Sequence, residues 1–338
     1  MPPTETDSDA DSDPDSGSGS DAGIDGDADP GLPDTRCALL SALADGPVGG
    51  PALADRLGVS RAAVWKQVEA LRDAGFDVES GDDGYAVTGV PAYNAEALAF
   101  GLDAPFAVEY HDALGSTNDR ARALAAAGAP ETVVVAGEQT AARGRLDREW
   151  AAPSGGAWFS VLARPDDPPA HAPAFTLATA VAVTRACREA GVDARIKWPN
   201  DVLVGERKLC GILTEMAGEA DRVSWLVVGV GLNANVAAAD LPEGATSLRA
   251  ELGSAVDRRL LVQRVLEAFD DLRGDLTAVV PAWREHADTL GRRVRVETPG
   301  GVVTGEAVGV EFPGALVVRT DDGEVRVTAG DCEHLRPA

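Results

Sequence analysis

With 338 residues, 45% of them apolar, and a net charge of −25, the chain suits two or three domains and not one small core. No run of about 18 apolar residues occurs, and the N-terminus is acidic where a secretory signal would be basic, so a cytoplasmic protein with no membrane segment is expected. Four cysteines and four histidines lie scattered, with no C-x-x-C pair, which excludes a metal knuckle or a redox couple.

Residues 1–34 carry ten aspartates, one glutamate and no basic residue. Such a run of Asp, Ser, Gly and Pro buries too little apolar surface to offset the cost of ordering, and predicts a disordered acidic tail. Acid outnumbers base across the rest as well, and only Lys66, Lys197 and Lys208 are lysines among 30 basic residues. That balance predicts a halophilic protein, whose self-repulsion a salt-rich cytoplasm screens.

Residues 35–90 read as a winged helix-turn-helix. An apolar helix over Cys37–Ala44 precedes a second that opens at Gly49-Gly50-Pro51 and stops at Gly58. Ser60 caps a third, in which Val64, Val68 and Leu71 recur at helical spacing. Strands at Asp77–Ser80 and Gly84–Thr88 form the wing around Gly81-Asp82-Asp83. On the third helix Arg61, Trp65, Lys66 and Arg72 fall opposite the apolar stripe, and Arg61, Lys66 and Arg72 are the expected DNA-binding residues. Packing or dimerisation is the other use of such a module, and five basic against eight acidic residues over 36–90 make counterion release a weak drive.

A linker at Val90–Ala95 leads into residues 91–284. Apolar strands are expected at Thr132–Ala136, Ala157–Ala163, Val202–Val204, Leu209–Thr214 and Val223–Val230, and helices at Thr117–Ala127, Pro173–Ala190 and Arg258–Val280. Hairpin links such as Gly205-Glu206 predict a mixed, mainly antiparallel α/β domain. Neither a P-loop nor G-x-G-x-x-G is present, which excludes those two nucleotide folds. Residues 288–336 alternate apolar and polar positions between Gly, Pro and Asp turns, the pattern of a small five-stranded barrel. The fold class is α+β.

Within Gln139–Trp150 (QTAARGRLDREW), Arg143, Arg145 and Arg148 surround Gly144 in a segment without helix or strand periodicity. Glycine permits close backbone approach and guanidinium forks grip phosphate or carboxylate oxygens, so the loop reads as an anion binder. GSTND (Gly115–Asp119) precedes it, and KWPND (Lys197–Asp201), RKLCGILTE (Arg207–Glu215) and VGVGLNAN (Val228–Asn235) follow. In this order the five blocks resemble the catalytic domain of the biotin protein ligases. The winged helix and the C-terminal segment extend the resemblance, over residues 36–336, to the family of bifunctional biotin ligases and biotin operon repressors.

That resemblance implies a class II synthetase-like catalytic domain and an SH3-like C-terminal barrel. It also implies that ATP, Mg2+ and biotin give biotinyl-5′-adenylate, whose acyl group passes to a lysine of a biotin carboxyl carrier protein, a subunit of acetyl- or propionyl-CoA carboxylase. Operator DNA and a homodimer, formed edge to edge by central sheets on adenylate binding, are the other implied partners. Two anions meet in such a reaction, so preorganised positive groups must surround them, and Arg143, Arg145, Lys197 and Lys208 are those available. By the resemblance Ser116, Thr117, Asn118 and Gln139 contact biotin, although Ser116 suits a helix N-cap as well. Arg143, Gly144 and Arg145 cover biotin and the adenylate phosphate, Lys208 meets the carboxylate, and Gly211 allows close approach. Asn233 lies beside adenine, Asn200 touches phosphate or magnesium, and Trp198 is either packing or an adenine-side aromatic. Asp201 is the candidate to orient or deprotonate the acceptor amine, so Lys208, Lys197, Asp201 and Arg145 form the expected catalytic set. The family loop G-R-G-R-x-G-R-x-W has its first glycine replaced here by Ala142 and its last by Asp147, which bears on loop flexibility. Two rivals stand beside this reading, a lipoate protein ligase and a biotin-sensing regulator without transfer. The full arginine loop and the barrel favour biotin, and the two lysines with Asp201 favour an active enzyme.

Overall fold

The computed structural model describes residues 34–335; the expected acidic tail lies outside them but for Asp34. Helices α1 (Asp34–Ala44), α2 (Gly50–Leu57) and α3 (Arg61–Asp73) and the hairpin β1 (Asp77–Gly81) and β2 (Gly84–Gly89) build the N-terminal unit. Gly58, left-handed at φ 63°, ends α2, and Ser60 Oγ accepts the Ala63 N–H to open α3. These two local devices set the turn between the helices, and Leu39, Leu53, Val64, Val68 and Leu71 close one core around it. The linker expected at Val90–Ala95 has no regular structure before Ala95 and is docked at its end. Asn94 caps α4 (Ala95–Ala99) through Oδ1 and donates from Nδ2 to Ala74 O at 3.0 Å, while Phe76 meets Phe100 edge to face. Arg36 donates to Glu96 at 2.8 Å, and that buried carboxylate needs the guanidinium.

The central sheet runs in the order β3 (Ala107–Leu114), β4 (Thr132–Gln139), β5 (Ala157–Ala163), β9 (Val223–Leu232), β8 (Arg207–Gly218), β7 (Asp201–Val204) and β6 (Ala194–Lys197). Only β3 and β4 pair in parallel; the remaining neighbours are antiparallel. β3 and β6 lie outside the strands read from sequence, because Glu109, His111 and Asp112 interrupt the apolar pattern of one and the other has four residues. The helices are α5 (Thr117–Ala126), α6 (Ala172–Glu189), α7 (Leu248–Leu252), α8 (Arg258–Gly274) and α9 (Val279–His286). The single helix expected over Arg258–Val280 breaks at Asp275, whose carboxylate accepts the Thr277 N–H and starts a short 3-10 turn.

Strand alternation then divides the residues between two faces. Phe159, Val161, Ile212, Val228 and Val230 join α6, α8 and α9 in the main core. Their neighbours Ser160, Gly211, Leu213, Glu215, Gly229 and Gly231 point to the opposite face, where Ala121 and Ala125 of α5 pack on Val134, Leu162 and Val227.

The C-terminal unit is a five-stranded antiparallel sheet ordered β13 (Gly323–Val327), β12 (Ala315–Thr320), β11 (Gly301–Glu311), β10 (Arg293–Thr298) and β14 (Asp331–His334). Its Val294, Val296, Leu316 and Val318 continue the main core without a gap. Trp198 locks the two units together: it is 1% exposed, its Nε1 donates to Gly314 O at 2.9 Å, and its backbone N–H donates to Thr289 Oγ1 at 2.9 Å. Of its two expected roles, packing is therefore the one it fills.

Candidate active site

A cavity of about 1310 Å³ opens on the sheet face that carries α5, between the α5 N-terminus, the 139–151 loop, the β7–β8 hairpin and β14. At one end, the first turn of α5 is held by its own side chains. Ser116 Oγ accepts the Asp119 N–H as an N-cap. Gln139 Oε1 accepts both the backbone N–H of Thr117, at 2.7 Å, and its hydroxyl, at 3.0 Å. The Ser116 hydroxyl proton and the Gln139 Nε2 group have no partner among the described residues, so this end of the cavity offers hydrogen-bond donors. Asn118, expected beside them as a ligand contact, also lines the cavity, with its side-chain amide engaged by the protein. Its Nδ2 donates to Glu215 Oε2 at 2.7 Å and its Oδ1 accepts from Ser160 Oγ at 2.6 Å. A Cβ at Gly229 would stand 2.1 Å from Asn118 Oδ1, so only glycine leaves room for it.

The arginine loop crosses the cavity, with Gly144 N–H donating to Arg148 O at 2.7 Å and Trp150 N–H to Ala142 O at 3.1 Å. Each arginine reaches a different wall. Arg143 donates to Asp119 at 2.6 Å, Arg145 to Asn200 Oδ1 at 3.1 Å and Gly330 O at 2.7 Å, and Arg148 to Asp331 at 2.5 Å. Leu146, between them, takes a left-handed φ of 58° and is 76% exposed, a strained backbone at the position just before the family's missing glycine.

Across the floor, Lys208 Nζ pairs with Asp201 at 2.7 Å and lies 5.0 Å from the centre of the Trp150 ring. That indole rests on glycines: a Cβ at Gly231 would meet it at 2.8 Å and one at Gly211 at 3.0 Å. Gly211 thus makes room for a side chain of the protein itself. Trp150 Nε1 is buried with no acceptor among the described residues. Asn200 donates to Ile212 O at 2.8 Å, and Asn233, 4% exposed, donates to Thr246 O at 2.9 Å. Lys197 is absent from the cavity wall. It faces β14, where burial first and then this ammonium push His334 down to about 4. The structure thus gathers Lys208, Asp201, Asn200 and Arg145, and Lys197 stands at the rim as the cross-strand partner of Asp201, beside Asp331 of β14. Burial pushes Cys187 up to about 12, Cys332 to about 11 and Cys210 well up, so none of these thiols supplies a thiolate nucleophile.

Arg122, Trp150, Glu215 and Asp331 are among the wall residues that the sequence reading left without a role, and Ser160 lies fully buried behind the wall, against Asn118. Ser160 carries a faint mark, a lone hydroxyl inside the apolar run AWFSVLA, and Glu215 shares strand parity with Gly211.

The family model described as "Biotin/lipoate A/B protein ligase family" matches residues 114–233, "Biotin protein ligase C terminal domain" matches 289–335, and "HTH domain" matches 38–86. The chain is 38% identical over 303 residues to the bifunctional ligase/repressor BirA of Bacillus subtilis (strain 168), spanning 85% of this chain and 93% of that protein. The chain belongs to the bifunctional biotin ligase/repressor family. A more distant member, BirA of Escherichia coli (strain K12), is 30% identical over 319 residues, 89% of this chain and 97% of its own length. Among solved structures, the biotin protein ligase from Aquifex aeolicus in complex with biotin and ATP superposes with a TM-score of 0.59 at 27% identity, covering 68% of this chain and 99% of that one.

Proposed function

We propose that this chain activates biotin with ATP and transfers it to a lysine of a biotin carboxyl carrier protein, and that its winged helix binds operator DNA as a biotin-responsive repressor. One observation carries the ligase reading: the Lys208–Asp201 pair lies on the floor of a cavity that the arginine loop crosses. A biotin carboxylate oxygen attacks the α-phosphorus of ATP, the bond to the β-phosphate oxygen breaks, and pyrophosphate leaves. Lys208 brings the carboxylate in, and Arg143 and Arg145 hold the phosphoryl oxygens where charge accumulates. The carrier lysine amine then attacks the acyl carbon, the carbon–oxygen bond breaks and AMP departs, with Asp201 taking the amine proton. The Trp150 indole is the aromatic we assign to the adenine side, with Asn233 near it.

Magnesium enters this reading on the nucleotide phosphates, the usual place for so strongly hydrated an ion. Asn200, the metal or phosphate contact expected from sequence, rests with its Oδ1 accepting from the Arg145 guanidinium, and becomes available to the phosphates when Arg145 turns to them. Among the described residues no group of three His, Cys, Asp or Glu side chains is placed to hold a metal.

Biotin over lipoate follows from the donors at Ser116 and Gln139. A ureido carbonyl satisfies them, whereas a dithiolane ring leaves them buried and unpaired, which costs about 1–3 kcal/mol per group. For DNA, Arg61 and Lys66 stand exposed on α3 beside Trp65, which is 55% exposed. Arg72 departs from its expected place: its guanidinium donates to Val78 O at 2.6 Å and pairs with Glu69, so it fastens the wing to α3. A homodimer is proposed through β3, an edge strand of the central sheet. We assign the units to 35–90, 91–284 and 288–336. No helix among the described residues is long and apolar enough to cross a membrane, in keeping with a cytoplasmic site of action.

Intact mass of a carrier domain after incubation with the chain, ATP, magnesium and either biotin or lipoate tests this reading. A gain of one biotin on one lysine is expected, and equal or faster lipoylation overturns it.

A further inference from the structure

Glu215 lies on β8 four positions beyond Gly211, on the strand face that lines the cavity. Both of its oxygens are engaged, Oε2 by Asn118 Nδ2 at 2.7 Å and Oε1 by Arg122 Nη1 at 3.0 Å. Asn118 has no other strong partner for its amide hydrogens, since its remaining hydrogen bond, to Leu213 O, is 3.4 Å long. On the opposite side its Oδ1 accepts from the fully buried Ser160 at 2.6 Å. The side-chain amide of Asn118 is therefore held from both sides within the protein, and Asn118 serves as the pin of the first turn of α5. That turn also carries Ser116 and Thr117, and Thr117 fixes Gln139 through its N–H and hydroxyl. The two donors that face the ring, on Ser116 and Gln139, thus depend on Asn118, and the amide orientation of Asn118 depends on the Glu215 carboxylate.

We propose that Glu215 is a positioning residue for biotin recognition, acting through Asn118; the proposal rests on the ligase reading above. A carboxylate suits this place because it accepts from both an amide and a guanidinium, which a neutral amide does less well. The Arg122 guanidinium continues from Glu215 to Asp119, and Asp119 holds Arg143.

Steady-state pyrophosphate release by the full-length chain tests this, with Glu215→Gln, Asn118→Asp and the double variant compared. Glu215→Gln sets amide against amide and should raise the KM for biotin by about tenfold to a hundredfold, the loss of one charge-assisted hydrogen bond, with the KM for ATP and kcat at saturating biotin nearly unchanged. Asn118→Asp sets two carboxylates face to face and should do at least as much harm. The double variant restores one donor to one acceptor in the reverse direction, and should bind biotin more tightly than Asn118→Asp alone. An unchanged biotin KM in Glu215→Gln, a parallel rise in the ATP KM, or strict additivity in the double variant would overturn the assignment while the ligase reading stands. A parent chain that releases no biotin-dependent pyrophosphate overturns both.

Discussion

Gly231→Ala probes how the arginine loop is held shut. An alanine Cβ there would stand 2.8 Å from Cε2 and Nε1 of Trp150 and 3.0 Å from Cζ2, about 1 Å inside ordinary carbon contact. The sheet cannot yield, because Gly231 is hydrogen-bonded mid-sheet between Trp158 of β5 and Gly211 of β8. The indole must move, and it belongs to the loop that Arg145 and Arg148 tie to Asn200, Gly330 and Asp331. Overpacking of this kind costs about 1–3 kcal/mol, and only in the closed loop, so the closed-to-open ratio falls by about 5- to 150-fold. Adenylate should escape from the variant faster by that factor, and trypsin should cut after Arg143, Arg145 or Arg148 correspondingly sooner, with little change in Tm. Trp150→Phe in the same chain removes the atoms that clash and should recover part of the loss. Parent rates of adenylate release and of tryptic cleavage in Gly231→Ala would refute the reasoning.

Lys208→Ala should stop pyrophosphate release at the first step, whereas Arg145→Gly should form adenylate and leak it onto bystander lysines; parent-rate pyrophosphate from the first variant, or full retention by the second, contradicts these roles. Arg61→Ala with Lys66→Ala should abolish binding to a biotin-gene promoter at ordinary salt and, where binding is still measurable at low salt, flatten its salt dependence by roughly 0.9 for each phosphate no longer neutralised, leaving ligation intact. Arg72→Ala should instead lower the stability of the winged unit, and a salt slope altered by Arg72→Ala but not by the other pair would reverse the assignment. Burial and then Lys197 hold His334 down to about 4 against the ordinary 6.5, with Asp288 opposing. The unfolded chain therefore takes the proton first as pH falls, so this stability is complete above pH 6.5 and is lost progressively down to pH 4, up to ~3 kcal/mol. His334→Asn should flatten Tm against pH in that window, and an unchanged profile would count against it.

The winged helix was legible because its devices are local: Gly58, Ser60 and the Val64, Val68, Leu71 spacing act within a few residues of one another. Strand β3 was not, since its polar pattern makes sense only in the folded chain. There Glu109 accepts from His111 at 2.6 Å and from Arg120 at 2.6 and 3.0 Å, and although burial opposes it, these bonds hold its carboxyl at about 2. Residues of the site that lie within the five blocks could be named from sequence, but their pairings could not. Asn118 and Glu215 meet across 97 residues, Trp150 settles on glycines of β8 and β9, and Lys197 comes to act on Asp331, from the C-terminal unit. The terminal turn of α4 and the break at Asp275 escaped the periodicity because one helix is five residues long and the other break is a side-chain cap.

The central claim, that this cavity joins a carboxylate to the α-phosphate of ATP before any amine arrives, is tested most directly with biotin carrying 18O in its carboxylate. The chain, ATP, magnesium and a carrier domain should yield biotinylated carrier and AMP that holds one 18O atom, because the carboxylate oxygen stays on phosphorus when the amine displaces it. Carrier labelled alongside AMP free of 18O, or alongside ADP, would contradict the account.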